Sequence, residues 1–506
     1  MGRYEVLLLR RIDIHYAIID VAAISCIQNL YVKNCNEHQW CIGSASAKCG
    51  AIAATGLSSM QMSHRARTAL AGLLLLGGCV ASDQRAANVE ERLAAHLDEV
   101  QVVPSAVPII ARASFETAVK AAVQANPSFA SARALEAAAM AQVGTAKAAQ
   151  RPQVSATASG GRLKEGSPVN NDITGVAADL MVSQLVYDGG ATNAAMDGAL
   201  AQALVARASA QEAGNAAALE AVQAWAELWA IQQQLKFLES QSAEVEVLLT
   251  QLDRMTENGM LDSATRDSAR VAVADIQIEQ AALRSALAAA EARFAQHFGA
   301  GPAKGLGAPK TLFTTAELAA LAKDVSRAPT LRKSAADLVA AEAAEAQARA
   351  QFKPTLNLNL GVASPMDKDD GTDTTVGLQM RYTFNDGGRR KAQLESAVQR
   401  REAAAATLAH AKAEAEAMAA ASLARLKAME SSAGLIETKV EASTSQATTA
   451  ASQVSLGQST LRGVIDAQIA QYRAREQQIR LTADRVALQA SIAASMGVLL
   501  TRLGVE

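Results

Sequence analysis

Aromatic side chains are scarce, at 3% of the chain, although half of all residues are apolar. Alanine supplies much of that apolar content, a mix that suits long, closely packed helices better than a compact core of large side chains. Basic charge is not concentrated either: 48 Lys and Arg face 50 Asp and Glu, and no basic block stands out. Nucleic-acid binding therefore lacks both its positive face and its stacking platform. Catalysis has little to work with. His96, His297 and His410 lie far apart in sequence, with no Cys pair, phosphate loop or nucleophile motif beside them. The chain reads as no enzyme, with no cofactor and no metal site.

Cysteine is thin and lopsided. Four of the five, Cys26, Cys35, Cys41 and Cys49, fall within residues 1–61, a stretch unlike the rest that also holds one of the three tryptophans. We read 1–61 as an over-predicted start, absent from the mature protein. From Met62 the sequence has a basic n-region (Ser63-His64-Arg65-Ala66-Arg67), an apolar h-region (Ala69 to Leu76) and the cleavage sequence Leu76-Gly77-Gly78-Cys79. This resembles a bacterial lipoprotein signal peptide over 62–78, with Cys79 as the lipidated residue. The alternative is a zinc or disulfide module around Cys26 to Cys49 and His38. It lacks the paired Cys-x-x-Cys of common zinc sites, and the apolar run is far short of the roughly 20 residues a membrane span requires. A single mature cysteine suits an oxidising periplasm. Residues 79–113 then form an N-terminal extension.

Proline is absent from two long runs. The ten prolines sit at helix starts, strand starts, hairpin loops or the link between two halves, leaving Gly190 to Asn258 and Arg389 to Leu456 free of any. As helix, each run reaches about 100 Å at about 1.5 Å per residue. Within the first, Leu238, Val245 and Leu252 recur every seven residues with Leu248 and Met255 between them. That seam predicts a left-handed supercoil against a neighbour.

What is present occurs twice. Asn126-Pro127 matches Ala328-Pro329 and Arg151-Pro152 matches Lys353-Pro354, both displaced by 202 positions. Asp188-Gly189-Gly190 matches Asp386-Gly387-Gly388 and Gly259 matches Gly457, displaced by 198. A constant offset broken once is an internal duplication whose second hairpin loop is four residues shorter. We place the first repeat at 114–299, a linker or equatorial segment at 300–326 and the second repeat at 327–506. Each repeat reads as helix, strand pair, long helix, Gly turn and returning helix. The returning helices are expected over Asp262 to Phe298 and Leu461 to Leu503, and Gly299 to Gly307 as a plain linker.

The Asp-Gly-Gly turns join strand to helix. Asp accepts hydrogen bonds from the free N–H groups of the first helical turn, and the paired glycines let the backbone change hand. In the second strand pair Leu356, Leu358, Leu360 and Val362 alternate with polar or small neighbours, as do Val376, Leu378, Met380, Tyr382 and Phe384. One greasy and one wet face over about 9 to 11 residues match a transmembrane barrel strand. The first pair is less regular, Leu180 to Tyr187 being apolar on both faces apart from Ser183 and Gln184. Tyr187, Tyr382 and Phe384 are expected to end the returning strands as an interfacial girdle, with Arg151 and Lys353 reaching toward headgroups. A half-exposed soluble sheet is the plain alternative. Four strands are too few for a barrel, whose smallest form has about eight, so two or more chains must share one.

This duplicated order, with strand pairs ending in Tyr-Asp-Gly-Gly and Phe-Asn-Asp-Gly-Gly, resembles the TolC family of outer-membrane channels from about Ser114 to Leu503. The resemblance implies a mainly α fold with a small transmembrane β part. A duplicated α-helical barrel, or coiled-coil tunnel, would join four β-strands per chain contributing to a twelve-stranded barrel shared by a homotrimer. It implies docking by a periplasmic adaptor and an inner-membrane transporter of the ATP-driven (ABC) or proton-driven (RND) class, within outer-membrane lipid. Adaptor contacts would centre on Gly259 with Met260 and Gly457 with Gln458. A periplasmic gate would use Asp466, with Arg462, Thr265, Arg266 and Asp267 as substitutes for family residues missing at Val454, Ser459 and Gly463. A solvated helix-face charge is the alternative at each.

The function implied is a passive exit duct across periplasm and outer membrane. Its strand-end turns resemble secretion channels and lean toward type I protein secretion. A lipidated amino terminus resembles small-molecule drug and metal efflux channels, and that alternative stays open. A non-channel periplasmic coiled-coil lipoprotein is the rival from another class; the alternating strands argue against it.

Overall fold

The computed structural model divides the chain into two units, residues 1–101 and 102–506. It describes residues 89–97, 114–164, 172–258, 263–299, 305–364, 371–455 and 461–505. The cleavage region with Cys79 and the turns Gly259-Met260 and Gly457-Gln458 lie outside the described residues. Residues 89–97 of the first unit are helical.

The second unit opens with α1 (Phe115–Gln124) and α2 (Pro127–Ala148). Asn126 starts α2, its Oδ1 accepting the N–H of Ser128 at 2.9 Å and of Phe129 at 3.1 Å, with Pro127 at the first helical position. The hairpin β1 (Gln153–Lys164) and β2 (Asp172–Tyr187) follows, then the 67-residue helix α3 (Ala191–Glu257) and the returning α4 (Ser263–Phe298). The second repeat has the same order: α6 (Pro329–Ala350), β3 (Thr355–Ser364), β4 (Asp373–Arg381), the 67-residue α7 (Arg389–Ser455) and α8 (Leu461–Ser495). Between the repeats lies α5 (Thr315–Leu321), and α9 (Leu499–Leu503) closes the chain. Among the described residues no helix is long and apolar enough to cross a membrane.

Helices pack side by side in a layer. Beside the sheet the order is α2-α3-α6-α7; along the other half of the long helices it is α4-α3-α8-α7. Helix α7 is an edge throughout, and α2 and then α4 form the opposite edge. The main core sits where these halves meet. Phe115 and Val119 of α1, Val222, Trp225 and Leu228 of α3, Phe294 and Phe298 of α4, Leu318 of α5 and Leu499 of α9 are buried together. Full burial of each large apolar side chain is worth roughly 1.5–3 kcal/mol. Leu238 and Val245 of the seven-residue seam are buried as well.

Three expectations change. Helix α8 does not run to Leu503: Gly497 adopts φ 70°, and the Val498 N–H bonds back to Ala493 O at 2.9 Å, closing the helix before α9. Strand β4 stops at Arg381, opposite Thr355, because β3 begins there after Pro354, which has no N–H to offer. Tyr382 and Phe384 therefore lie beyond the strand. The described part of the plain-linker stretch is docked, Trp225 Nε1 donating to Gly307 O at 3.1 Å and Gln232 Oε1 accepting the Leu306 N–H at 2.9 Å. Leu312 and Phe313 continue it into the core, and a capping box between Thr314 and Glu317 starts α5.

Candidate functional site

The four strands form one antiparallel sheet in the order β1-β2-β3-β4. Its register decides which side chains share a face. Leu180 pairs with Ala156 and Val362, and Val182 with Val154 and Leu360. Leu360, Leu358 and Leu356 in turn oppose Val376, Leu378 and Met380. These rows make one apolar face across all four strands. The other face carries Ser155, Thr157 and Ser159, then Asp179 and Ser183, Asn357 and Asn359, and Thr375, Gln379 and Arg381, interrupted by Met181 and Leu185 of β2. A bulge between Leu185 and Tyr187 shifts the pairing by one residue and returns Tyr187 to the row of Leu356, while Met181 and Leu185, ahead of the bulge, remain on the face of Ser155 and Asn357. Strands β1 and β4 are the sheet's two edges.

Each strand pair is joined to its long helix by the same turn. Gly189 and Gly190 adopt φ 70° and 94°, Gly387 and Gly388 φ 69° and 89°. Asp188 accepts the Gly190 N–H at 2.9 Å on one oxygen, and on the other the Thr192 N–H at 2.6 Å with the Thr192 hydroxyl. Asp386 accepts the Gly388 N–H at 3.2 Å and the Arg390 N–H at 3.1 Å. Burial pushes both carboxyls up, but their hydrogen bonds prevail. Those from Thr192, Gly190 and Ala191 hold Asp188 below its ordinary value, and those from Arg390 and Gly388, with the Arg390 charge, hold Asp386 below its own.

The two turns differ in what ties them down. The Arg390 guanidinium donates to Asp386 at 2.8 Å, to Gln351 O at 3.1 Å and to Thr383 O at 2.6 Å, with its plane over Phe352. In the first repeat Thr192 stands in that place and reaches Asp188 alone. Lys353 instead spans the repeats, Nζ donating to Gly189 O at 3.1 Å while its methylenes cover Gly189. That carbonyl takes one of the three N–H donors of its ammonium. Arg151 is exposed at the start of β1, Tyr187 ends β2, and Tyr382 and Phe384 meet edge to face at 4.9 Å just past β4. None of the Lys353 and Arg390 bonds was foreseen; the signal for Arg390 was a basic residue four positions after the Asp of the turn.

At the far end of the helices, Arg462 and Asp466 of α8 line a cleft of about 620 Å³ with Ser268, Ala269 and Asp275 of α4. Asp275 was missed by sequence, where it reads as one more helix-face acid. Arg266 and Asp267 do not join this cleft but pair with each other at 3.1 Å. The Thr265 side chain lies outside the described residues.

The sequence pattern of the outer membrane efflux protein family matches residues 118–300 and 322–498, one segment in each half. The chain belongs to the outer membrane efflux protein family. Solved structures with the same fold include the VceC outer membrane protein of Vibrio cholerae, at 18% identity and TM-score 0.67, over 76% of this chain and 96% of that one. The CmeC channel of Campylobacter jejuni aligns at 13% identity and TM-score 0.67, over 76% and 86%. The MtrE channel of Neisseria gonorrhoeae aligns at 16% and 0.64, over 77% and 90%. No curated relative matches the chain. Family membership makes this protein an exit duct of the outer membrane, a passive channel and not an enzyme.

Proposed function

We propose that three copies of this chain close into one duct, a twelve-stranded barrel in the outer membrane continuous with a helical tunnel in the periplasm. The observation that carries the reading is the sheet's apolar face, interrupted in β2 by Gln184, with two open edges, mounted on a helical layer that is also open at two edges. Strand β4 and helix α7 lie at one side, β1 with α2 and α4 at the other. Head-to-tail joining of two different edges closes a ring when the rotation is right. Both helical edges carry bare apolar side chains: Met418 and Leu435 of α7 are 54% and 74% exposed, and Val271 and Ile278 of α4 are 62% and 68% exposed. With the apolar sheet face outward, lipid covers it and the polar face lines the bore.

The duct has no means of its own to drive transport, so it works docked by a periplasmic adaptor and an inner-membrane transporter. Adaptor contact is proposed at Gly259-Met260 and Gly457-Gln458, the gate at Asp466 and Arg462, and a lipid anchor at Cys79. Bulky replacements of Gly259 or Gly457 will block adaptor docking while leaving the trimer intact; loss of the trimer would make the turns structural only. For cargo, the Asp-Gly-Gly strand ends support type I protein secretion, and the family's description as efflux proteins supports small-molecule export. Export of a co-expressed protein substrate against drug accumulation, in cells lacking their own ducts, separates the two. Planar-bilayer conductance by a heat-modifiable detergent-stable oligomer tests the duct itself. A water-soluble monomer without conductance would refute it.

A further inference from the structure

A residue that the duplicated scaffold needs recurs at the matching place; one serving another purpose stands alone. A cleft of about 500 Å³ opens where α3, the connection between the repeats and the end of the chain meet. Arg327, Arg332 and Arg502 line it, with Gln211 and Thr501 beside them and Phe313 as an apolar wall. No Asp or Glu among the described residues lines it. Three guanidinium groups around one cleft repel one another unless an anion joins them. An adjoining cleft of about 400 Å³ shares Gln211 and Thr501 and adds Arg133 and Arg207, but there Glu136 supplies a carboxylate.

At the duplication offsets Arg327 corresponds to Ala125, Arg332 to Ala130 and Gln211 to Ala409; Arg502 alone keeps a basic counterpart, Lys304. The scaffold is thus built with alanine at the first three places. Nor do the arginines brace the chain by ion pairs: neither Arg327 nor Arg332 forms one with a carboxylate among the described residues. The acids of the same connection are engaged close by, Glu317 accepting the Thr314 N–H at 2.7 Å and Asp324 the Ser326 N–H at 3.1 Å. Arg502 and Arg327 act on these acids only through their fields. Arg502 is itself set in place. Its Nε donates to Leu312 O at 3.0 Å and its guanidinium lies over the Phe313 ring, 5.5 Å from the centroid. That leaves four of its five N–H donors for another partner.

We propose that this cleft binds a small polyanion through its phosphate or carboxylate oxygens, the groups that guanidinium forks recognise in pairs. Gln211 and Thr501 add neutral hydrogen bonds, and Phe313 covers an apolar flank of the ligand. Gln211 lies 20 residues beyond the start of α3, about 30 Å from the strand-to-helix turn at about 1.5 Å per residue. A lipid headgroup beside the sheet does not reach so far, so the ligand comes from the aqueous side. The cleft is made by three separate stretches of chain, at Gln211, from Phe313 to Arg332 and from Gly497 to Arg502. A bound anion therefore clamps them together and raises the melting temperature, as any ligand of the folded state does.

Calorimetric titration of the detergent-solubilised full-length protein with inorganic pyrophosphate and with citrate tests this, in about 0.15 M NaCl, where attraction between charges more than about 8 Å apart is screened. We expect one saturable site per chain for at least one of the two, and the tighter probe tells whether phosphate or carboxylate is the preferred head group. Arg327→Gln and Arg332→Gln will each weaken binding by about tenfold to hundredfold, the worth of a hydrogen bond to a charged group. Arg400→Gln, exposed on α7, will leave it unchanged. Without added polyanion the Arg332→Gln protein will melt at or above the wild-type temperature, and only the wild type will gain stability when the probe is added. Saturable binding by neither probe, or equal binding by wild type and Arg332→Gln, would overturn the proposal. So would a lower melting temperature of Arg332→Gln in plain buffer, which would make the arginine a brace of the fold.

Discussion

Trp225 offers the sharpest test of where stability resides. It is buried on α3 with Phe115 at 5.5 Å and both Phe294 and Phe298 at 5.8 Å between ring centroids. Its Nε1 donates to Gly307 O at 3.1 Å, so one side chain joins α1, α3, α4 and the segment between the repeats. Trp225→Ala removes all of this and leaves a cavity, at a cost of about 3–5 kcal/mol. Trp225→Phe keeps a ring in the cluster and loses chiefly the hydrogen bond. Gly307 is exposed, so water can take the place of the indole N–H on its carbonyl, and the loss is that of an ordinary hydrogen bond, about 0.5–1.5 kcal/mol. The Ala variant should therefore lose roughly twice as much or more. The assay is thermal unfolding of detergent-solubilised protein followed by circular dichroism, with Trp225→Phe and Trp225→Ala scanned at one rate. Equal losses would place the stability in the hydrogen bond rather than the rings. A loss below about 1 kcal/mol for Ala, the level of an ordinary surface change, would move the core elsewhere.

Gly497→Ala should destabilise by about 1–3 kcal/mol, since the residue has φ 70° and a Cβ would meet Pro329 Cδ at 2.9 Å and Arg327 O at 3.0 Å; an unchanged melting temperature would refute the steric account. Acid should weaken the strand-to-helix turns. The folded pKa values of Asp188 and Asp386 are lowered, so their stabilisation is complete above the ordinary value of 3.8 and is lost as pH falls through the folded values. Melting temperature should drop less steeply from pH 5 to pH 3 in the Asp188→Asn/Asp386→Asn double variant than in wild type, and parallel profiles would contradict this. Asp466→Ala should raise closed-state current in single-channel recordings if the cleft with Arg462 and Asp275 belongs to the gate; an unaltered closed state would take Asp466 out of it.

The sequence carried the long-range plan because that plan rests on periodicity and breakers. Proline-free runs marked α3 and α7 to within a residue at most ends, and alternation in Thr355 to Val362 fixed which face of the sheet is apolar. What it hid depends on tertiary partners. The end of β2 hides a bulge that moves Tyr187 to the apolar face, because a bulge leaves no composition signal beyond the extra residue at Val186. The break in α8 was legible at Gly497, but an isolated glycine in a helical pattern is ambiguous without Pro329 beside it. The Thr314-x-x-Glu317 box was a plain helix start in a segment read as a linker. Lys353 was read by its position near the membrane, and its carbonyl partner lies 164 residues away. At the cleft proposed as the gate, sequence supplied Asp466 and Arg462, and only the packing of α4 on α8 brought Asp275 to them.

Lys353 reaching Gly189 within one chain has a consequence for assembly. In the proposed ring, half of the junctions arise during folding of a single polypeptide and are indifferent to protein concentration. The other half wait on encounter between copies and bear the loss of translational and rotational freedom that association entails. Dilution, or slow delivery to the membrane, should therefore open alternate junctions first, yielding folded half-closed protomers rather than unravelled chains.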